Sequence, residues 1–245
     1  MSEHGFRKVL EDGTFGIAFH PIVHTGSGMI HHYEALARFP GTIAAESPLK
    51  LIAYAEEAGL IAKFDLAMAQ KVIDWLKVHG DSYRIAVNIS GFSIGNADYL
   101  AELRALLDAN PWSKGALMFE VTESTRIPDL AAANRLFQAL RDQGYEICLD
   151  DFGAGVASFH YLLSLDVDVV KFDGSAVKSA LVAKKGRAFL SALARLCSDI
   201  GVPTIAERVD DHETLTFVRE CGVDYAQGYL FGEPSADIES FKRIF

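Results

Sequence analysis

The sequence predicts an α/β fold, a TIM-type (β/α)8 barrel with the first strand antiparallel to the others. Three observations predict it. The chain has 245 residues, half of them hydrophobic, enough for one large core. Eight short β-rich runs alternate with helical patterns. The first two runs are separated only by VHTGSG, a hairpin loop, whereas the later connections are long enough to hold helices. An open doubly wound sheet is the alternative that this rhythm leaves standing; eight strands favour the barrel.

In chain order the expected strands are FGIAFHPI (15–22), MIHHYEALARF (29–39), YRIAVNIS (83–90), ALMFEVT (116–122), YEICLDD (145–151), DVVKFD (168–173), PTIAE (203–207) and DYAQGYL (224–230). Each is an apolar, β-branched or aromatic run bounded by turn formers. Helices are expected at 47–57, 64–78, 98–109, 129–143, 158–164, 184–200 and 211–220. SPLKLIAYAEEAG carries Ser47 as N-cap, Pro48 at the first helical position and Gly59 just past the end. DLAAANRLFQALRDQG repeats apolar residues at helical spacing and stops at Gly144. The whole chain, 1–245, reads as one domain with its core at about 6–235 and a short helical tail over 236–245.

Net charge is -10 and the pI about 5.2. An acidic surface disfavours nucleic-acid polymers and anionic membrane surfaces. Cys148, Cys197 and Cys221 form no C-x-x-C pair and sit in apolar contexts. They read as buried free thiols suited to a reducing cytoplasm. No apolar run reaches the roughly 18 residues of a membrane span, and the charged N-terminus lacks the apolar region of a signal peptide. The expected location is the cytoplasm, alone or as the cytoplasmic part of a larger protein.

Polar residues fall late in seven of the eight strand runs: Glu34, Asn88, Glu120, Asp150 with Asp151, Lys171, Glu207 and Gln227. In a parallel barrel those strand ends meet at one face, where barrel enzymes keep their chemistry. Side chains alternate with period two, so Glu34, Leu36 and Arg38 share a face, as do Glu120 with Thr122 and Lys171 with Asp173. Five carboxylates face Lys171 and Arg38 at this rim. Carboxylates plus one amide suit hard divalent ions, Mg²⁺ or Mn²⁺, rather than zinc. Two such ions about 4 Å apart can activate water and stabilise a phosphoryl transition state, so the residues point to metal-dependent phosphoester hydrolysis.

Eight segments in order carry a family resemblance: PIV (21–23), YEALARF (33–39), AVNIS (86–90), FEVTES (119–124), LDDFGAG (149–155), VVKFDGS (169–175), IAERVD (205–210) and QGYLFG (227–232). Through them the chain resembles the EAL-domain cyclic-di-GMP phosphodiesterases. The resemblance implies a barrel with an antiparallel first strand. It implies hydrolysis of cyclic-di-GMP to linear pGpG with two Mg²⁺ or Mn²⁺ ions and inhibition by Ca²⁺. Carried over by motif, the metal ligands are Glu34, Asn88, Glu120, Asp150, Asp151 and Glu207, with Asp150 bridging. Glu34, Lys171 and Glu207 are the catalytic set, Lys171 bonded to the attacking water. Leu36, Arg38, Asp173, Arg208, Gln227 and His20 fall on the substrate side, Arg38 as a phosphate contact and Gln227 on a coordinated water. Glu123 resembles the acid anchoring the loop after Asp151, a loop that lies at the homodimer interface in this family. Fused sensory or GGDEF domains are further expected partners.

The chain departs from the family pattern at Arg208 (for Gly), Asp210 (for Glu), Val156 (for Tyr) and His20 (for Gln). None removes a metal ligand. The rival function is a receptor domain that binds cyclic-di-GMP without cutting it; such domains lose ligand positions that this chain keeps. A protein-kinase reading of DFG fails for want of a Gly-rich loop, H-R-D and A-P-E. A barrel enzyme with another substrate stays a minor alternative. His20, His24, His31 and His32 crowd the hairpin, but glycines and Pro21 prevent a shared helical face, and strand alternation sends His31 and His32 apart. They read as surface or nucleotide-proximal histidines rather than a zinc site. The adjacent Asp150 and Asp151 are tolerable if cations neutralise them and if Gly153 and Gly155 let the chain turn.

Overall fold

The computed structural model describes residues 3–40, 48–122, 127, 129–153 and 158–241. Ser47, Glu123, Gly155 and Val156 lie outside the described residues, and the expectations placed on them go with them. Eight strands close into a barrel in sequence order: β1 (Gly16–His24), β2 (Ile30–Arg38), β3 (Ile85–Ile89), β4 (Leu117–Thr122), β5 (Glu146–Phe152), β6 (Val169–Phe172), β7 (Thr204–Ala206) and β8 (Tyr225–Gln227). β1 is antiparallel to both β2 and β8, and the remaining neighbours are parallel. The hairpin reading of VHTGSG and the eight-strand rhythm are both borne out.

The helices are α1 (Glu3–Glu11), α2 (Pro48–Glu57), α3 (Ile61–His79), α4 (Gly91–Ile94), α5 (Ala97–Asp108), α6 (Leu130–Asp142), α7 (Ser158–Ser164), α8 (Gly174–Val182), α9 (Gly186–Asp199) and α10 (His212–Glu220). Carboxylate and amide caps start several: Asn96 for α5, Asp129 for α6, Asp173 for α8 and Asp211 for α10 accept first-turn N–H groups.

α1, α4 and α8 are additions to the sequence reading. α1 is polar except for one stripe, from which Phe6 inserts between Phe39, Tyr54 and Phe64, with ring centroids 5.7–6.0 Å away. Burying that ring contributes about 2–3 kcal/mol. The last strand ends earlier than 230 because the chain crosses itself. A Cβ on Gly228 would stand 2.2 Å from the Val209 carbonyl oxygen. Past that crossing Tyr229–Phe231 forms a 3-10 turn. The expected tail helix is, among the described residues, a single 3-10 turn at Ile238–Ser240.

Inside the barrel, period-two alternation stacks two layers. The lower is Ile22, Ala86, Met118, Cys148, Val169 and Ile205, an apolar cluster of its own. One step further along β3 to β7 lie Asn88, Glu120, Asp150, Lys171 and Glu207, joined by Glu34 from β2 and Gln227 from β8. All three cysteines are buried and free. Among the described residues no helix is long and apolar enough to cross a membrane.

Candidate active site

Lys171 is the hub of the upper layer. Its side chain is fully buried, and Nζ lies 3.0 Å from Glu120, 3.3 Å from Asp150 and from Glu207, and 3.4 Å from Glu34. Burial alone would lower the Lys171 pKa, but these carboxylates hold it well above the ordinary range. One cation does not balance four carboxylates. Burial therefore pushes Glu120, Asp150 and Glu207 each up to about 7, against the pull of Lys171. Burial also pushes Glu34 up, yet its pKa is lowered on balance. Lys171 is near, Gln227 Nε2 donates to Oε2 at 2.8 Å, and Asn88 Nδ2 donates to Oε1 at 2.8 Å. A cluster held half-protonated near neutrality is short of positive charge.

The neighbouring aspartates converge through a β-bulge. β5 and β6 pair Leu149 with Val170 and then Phe152 with Phe172, so Asp150 and Asp151 together oppose Lys171. Asp151 takes a left-handed conformation, φ 60°, which aspartate tolerates better than most residues. Its N–H donates to Asp150 Oδ1 at 2.9 Å. Gly153 turns the chain as expected, with φ 96°, but the bulge that brings the two aspartates together lies at Asp150 and Asp151 themselves. As a result Asp150, Asp151 and Glu207 offer carboxylate oxygens all within 4.8 Å of one another, a group that can hold a metal ion.

Above this group opens a cavity of about 530 Å³, with Glu34, Asp151 and Glu207 at its base and His20, Leu36, Arg208, Asp210 and Tyr229 on its walls. That volume suits a small-molecule ligand. Gln227 also donates to His20 Nδ1 at 3.1 Å, so the His20 proton sits on Nε2; burial lowers the His20 pKa. Arg208 is the second non-glycine residue with left-handed backbone, φ 52°. Its side chain crosses Gly174 so closely that a Cβ there would lie 2.4 Å from Arg208 Cγ.

Comparison with known proteins fits this geometry. The family model of the EAL domain matches residues 4–234. The chain belongs to the EAL-domain family. Two relatives are the cyclic di-GMP phosphodiesterase PdeB of Shewanella oneidensis, 32% identical, and PdeF of Escherichia coli, 28% identical. The matches cover 93% and 97% of this chain but 27% and 32% of those proteins, so the chain spans about a third or less of their length. The crystal structure of the FimX EAL domain from Pseudomonas aeruginosa bound to c-di-GMP superposes with TM-score 0.85 at 26% identity, covering 96% of each chain.

Within this EAL domain the structure brings Glu34, Asn88, Glu120, Asp150, Asp151, Lys171, Glu207 and Gln227 together and places Leu36, His20 and Arg208 on the cavity wall. Arg38 is exposed at the rim, where its NH1 donates to the Ala37 carbonyl at 3.0 Å. Asp173 is buried and caps α8, its Oδ1 accepting the Ser175 and Ala176 N–H groups at 3.0 Å each. Tyr229 was missed. It is 61% exposed at the mouth, and the signal was an aromatic directly after the strand-ending Gln227–Gly228.

The hairpin histidines lie differently from the sequence expectation. His24 is exposed and caps its own turn, Nδ1 accepting the Gly26 and Ser27 N–H groups at 3.1 Å. His32 is buried inside the barrel, and His31 lies beside it, Nδ1 to Nδ1 at 2.8 Å. They do not point to opposite faces, because β1 pairs Ile22 with His32 and Val23 with Ile30, leaving His31 as a bulge residue. Burial, aided by neighbouring cations, lowers His31 to about 4 and His32 to about 3.

Proposed function

We propose that this EAL domain hydrolyses one phosphodiester bond of cyclic-di-GMP, giving linear pGpG. The observation that carries the reading is the carboxylate cluster around Lys171 at the base of an open cavity, with three of its carboxylates within 4.8 Å. An all-oxygen, charge-deficient donor set fits hard divalent ions such as Mg²⁺ or Mn²⁺. Asp150, Asp151 and Glu207 would hold them, with Glu34, Asn88 and Glu120 completing the set. Bound there, such ions would neutralise charge on the phosphoryl oxygens and make water a better nucleophile.

The chain's own groups do the rest. Glu34 is fixed from two sides by Asn88 and Gln227, so its carboxylate does not wander. Lys171, kept protonated, is a donor that orients the attacking water and not a base. Glu207 lies beside Lys171 and lines the cavity, placing it to accept the proton that the water loses. Arg208 and Arg38 supply positive charge at the mouth for the second phosphate, and Leu36 and Tyr229 offer flat apolar surface to a guanine. Water adds across one P–O3′ bond, the 3′ oxygen leaves with a proton, and one linear dinucleotide results.

Incubating the purified chain with cyclic-di-GMP and Mg²⁺, and separating nucleotides by chromatography, tests this. The expected result is one pGpG per cyclic-di-GMP consumed. Tight binding with no product would replace the enzyme by a receptor domain.

A further inference from the structure

A polar thread runs beside the apolar floor of the barrel. Arg84 NH1 lies 3.0 Å from His31 Nε2, and His31 Nδ1 lies 2.8 Å from His32 Nδ1. His32 Nε2 lies 3.9 Å from Glu120 Oε1. Arg84 is anchored on its outer side by Glu146, NH2 to Oε2 at 2.6 Å. His31 packs against Tyr225, with ring centroids 4.4 Å apart and planes tilted by 35°. His32 Nε2 and Glu120 Oε1 are both buried, and among the described residues neither has a hydrogen-bond partner. Two orphaned buried polar atoms facing each other demand an explanation.

We infer that Arg84, His31 and His32 form a directed hydrogen-bond chain that ends on Glu120, making His32 a positioning residue for that carboxylate. Direction follows from the first link. A guanidinium has donors only, so His31 Nε2 accepts, and the His31 proton sits on Nδ1. That Nδ1–H faces His32 Nδ1, which must therefore accept. The His32 proton is thereby forced onto Nε2, aimed at Glu120 Oε1. The 3.9 Å separation is longer than an N–H···O hydrogen bond, so completing this last link requires the Glu120 carboxylate to move towards His32. Glu120 is then divided between two layers: Oε1 belongs to the floor thread, while Oε2, 3.0 Å from Lys171, is left for the site above. Neither imidazole is free to bind zinc in this arrangement, since all four ring nitrogens face a protein group. The consequence for function rests on the reading of Glu120 as a metal ligand, because a supporting hydrogen bond fixes a ligand's orientation and raises metal affinity.

The test has two parts, both on the full chain freed of metal. Long-range ¹H–¹⁵N spectra of ¹⁵N-histidine protein report tautomers directly. His31 is expected as the Nδ1–H form and His32 as the Nε2–H form at neutral pH, and Arg84→Met should abolish the fixed tautomer of both. Finding His32 protonated on Nδ1, or both tautomers unchanged in Arg84→Met, overturns the directed chain. The second part is Mn²⁺ titration. His32→Leu should weaken binding by about tenfold or more, and His32→Gln, which keeps a terminal N–H, should restore most of it. Should His32→Leu not fold, the comparison of His32→Gln with wild type and the tautomer spectra decide. Glu120→Gln is the reference. If it weakens Mn²⁺ binding while His32→Leu does not, the positioning role is wrong and the metal site stands. If Glu120→Gln also binds like wild type, the metal reading of Glu120 fails and takes the positioning role with it.

Discussion

The two interior layers of this barrel sit two residues apart on the same faces of the same strands, yet they have opposite chemistry. Met118 precedes Glu120, Cys148 precedes Asp150, Val169 precedes Lys171 and Ile205 precedes Glu207. The lower residues are at most 3% exposed and form one apolar cluster. The upper residues form a buried electrostatic problem with too many anions for one ammonium. Stability and chemistry are thus assigned to separate layers of the barrel. The floor and the helical shell hold the barrel closed, so the mouth can tolerate a charge arrangement that destabilises the ion-free protein. The Arg84–His31–His32 thread brings polar groups to this floor and leads to a mouth carboxylate.

The two layers should differ most in their effect on activity. Glu34→Ala at the mouth should lower pGpG formation at least about a hundredfold with a modest fall in melting temperature, because it strands the Asn88 and Gln227 amides and removes the carboxylate that they and Lys171 hold ionised. A variant that cleaves cyclic-di-GMP at the wild-type rate would show that the mouth cluster is not the reaction centre. Ile205→Ala in the floor should do the reverse. It should cost about 2–5 kcal/mol in urea unfolding through the cavity it leaves, with turnover per folded molecule close to wild type.

A pH series separates the layers more finely. In the ion-free chain Glu120, Asp150 and Glu207 are raised to about 7 from ordinary values of 4.5, 3.8 and 4.5. The folded state therefore binds more protons than the unfolded state between those values. Their stabilising contribution is complete below the ordinary carboxylate range and is lost as pH rises through about 7. Melting of chelated protein should accordingly fall between pH 5 and pH 8, and added Mn²⁺ should remove most of that fall. Asp65 is a control outside the barrel. Burial raises it to about 7 as well, with Ser90 N–H and Ser93 Oγ donating to one oxygen at 2.8 and 2.6 Å. Asp65→Asn keeps an acceptor there and should shave the pH slope equally with and without metal.

The smallest effect concerns backbone. Arg208 holds φ 52° without being glycine, so Arg208→Gly should stabilise the fold by about 1 kcal/mol. Differential scanning calorimetry should show this as a rise of about 2–4 °C. No rise would mean that the contact of the Arg208 stem with Gly174 offsets the strain.

Much of the mouth was legible in the sequence, because period-two alternation puts late polar residues of parallel strands on one rim. Glu34, Asn88, Glu120, Lys171 and Glu207 needed nothing more. The bulges were not legible. Whether Asp150 and Asp151 converge, and whether His31 and His32 share a side, depends on register between strands that no single strand encodes. α1 and α8 escaped because their buried stripes are short and their remaining residues read as polar or small. Tyr229 and the Gly228 crossing depend on a contact with Val209 that is distant in sequence.

The most direct measurement is pGpG formation from cyclic-di-GMP by the purified chain as Mg²⁺ or Mn²⁺ is raised from excess chelator to saturation. A cation-dependent mouth predicts no product in chelator, recovery as metal is restored, and no recovery in Glu34→Ala. Undiminished turnover in excess chelator would contradict it.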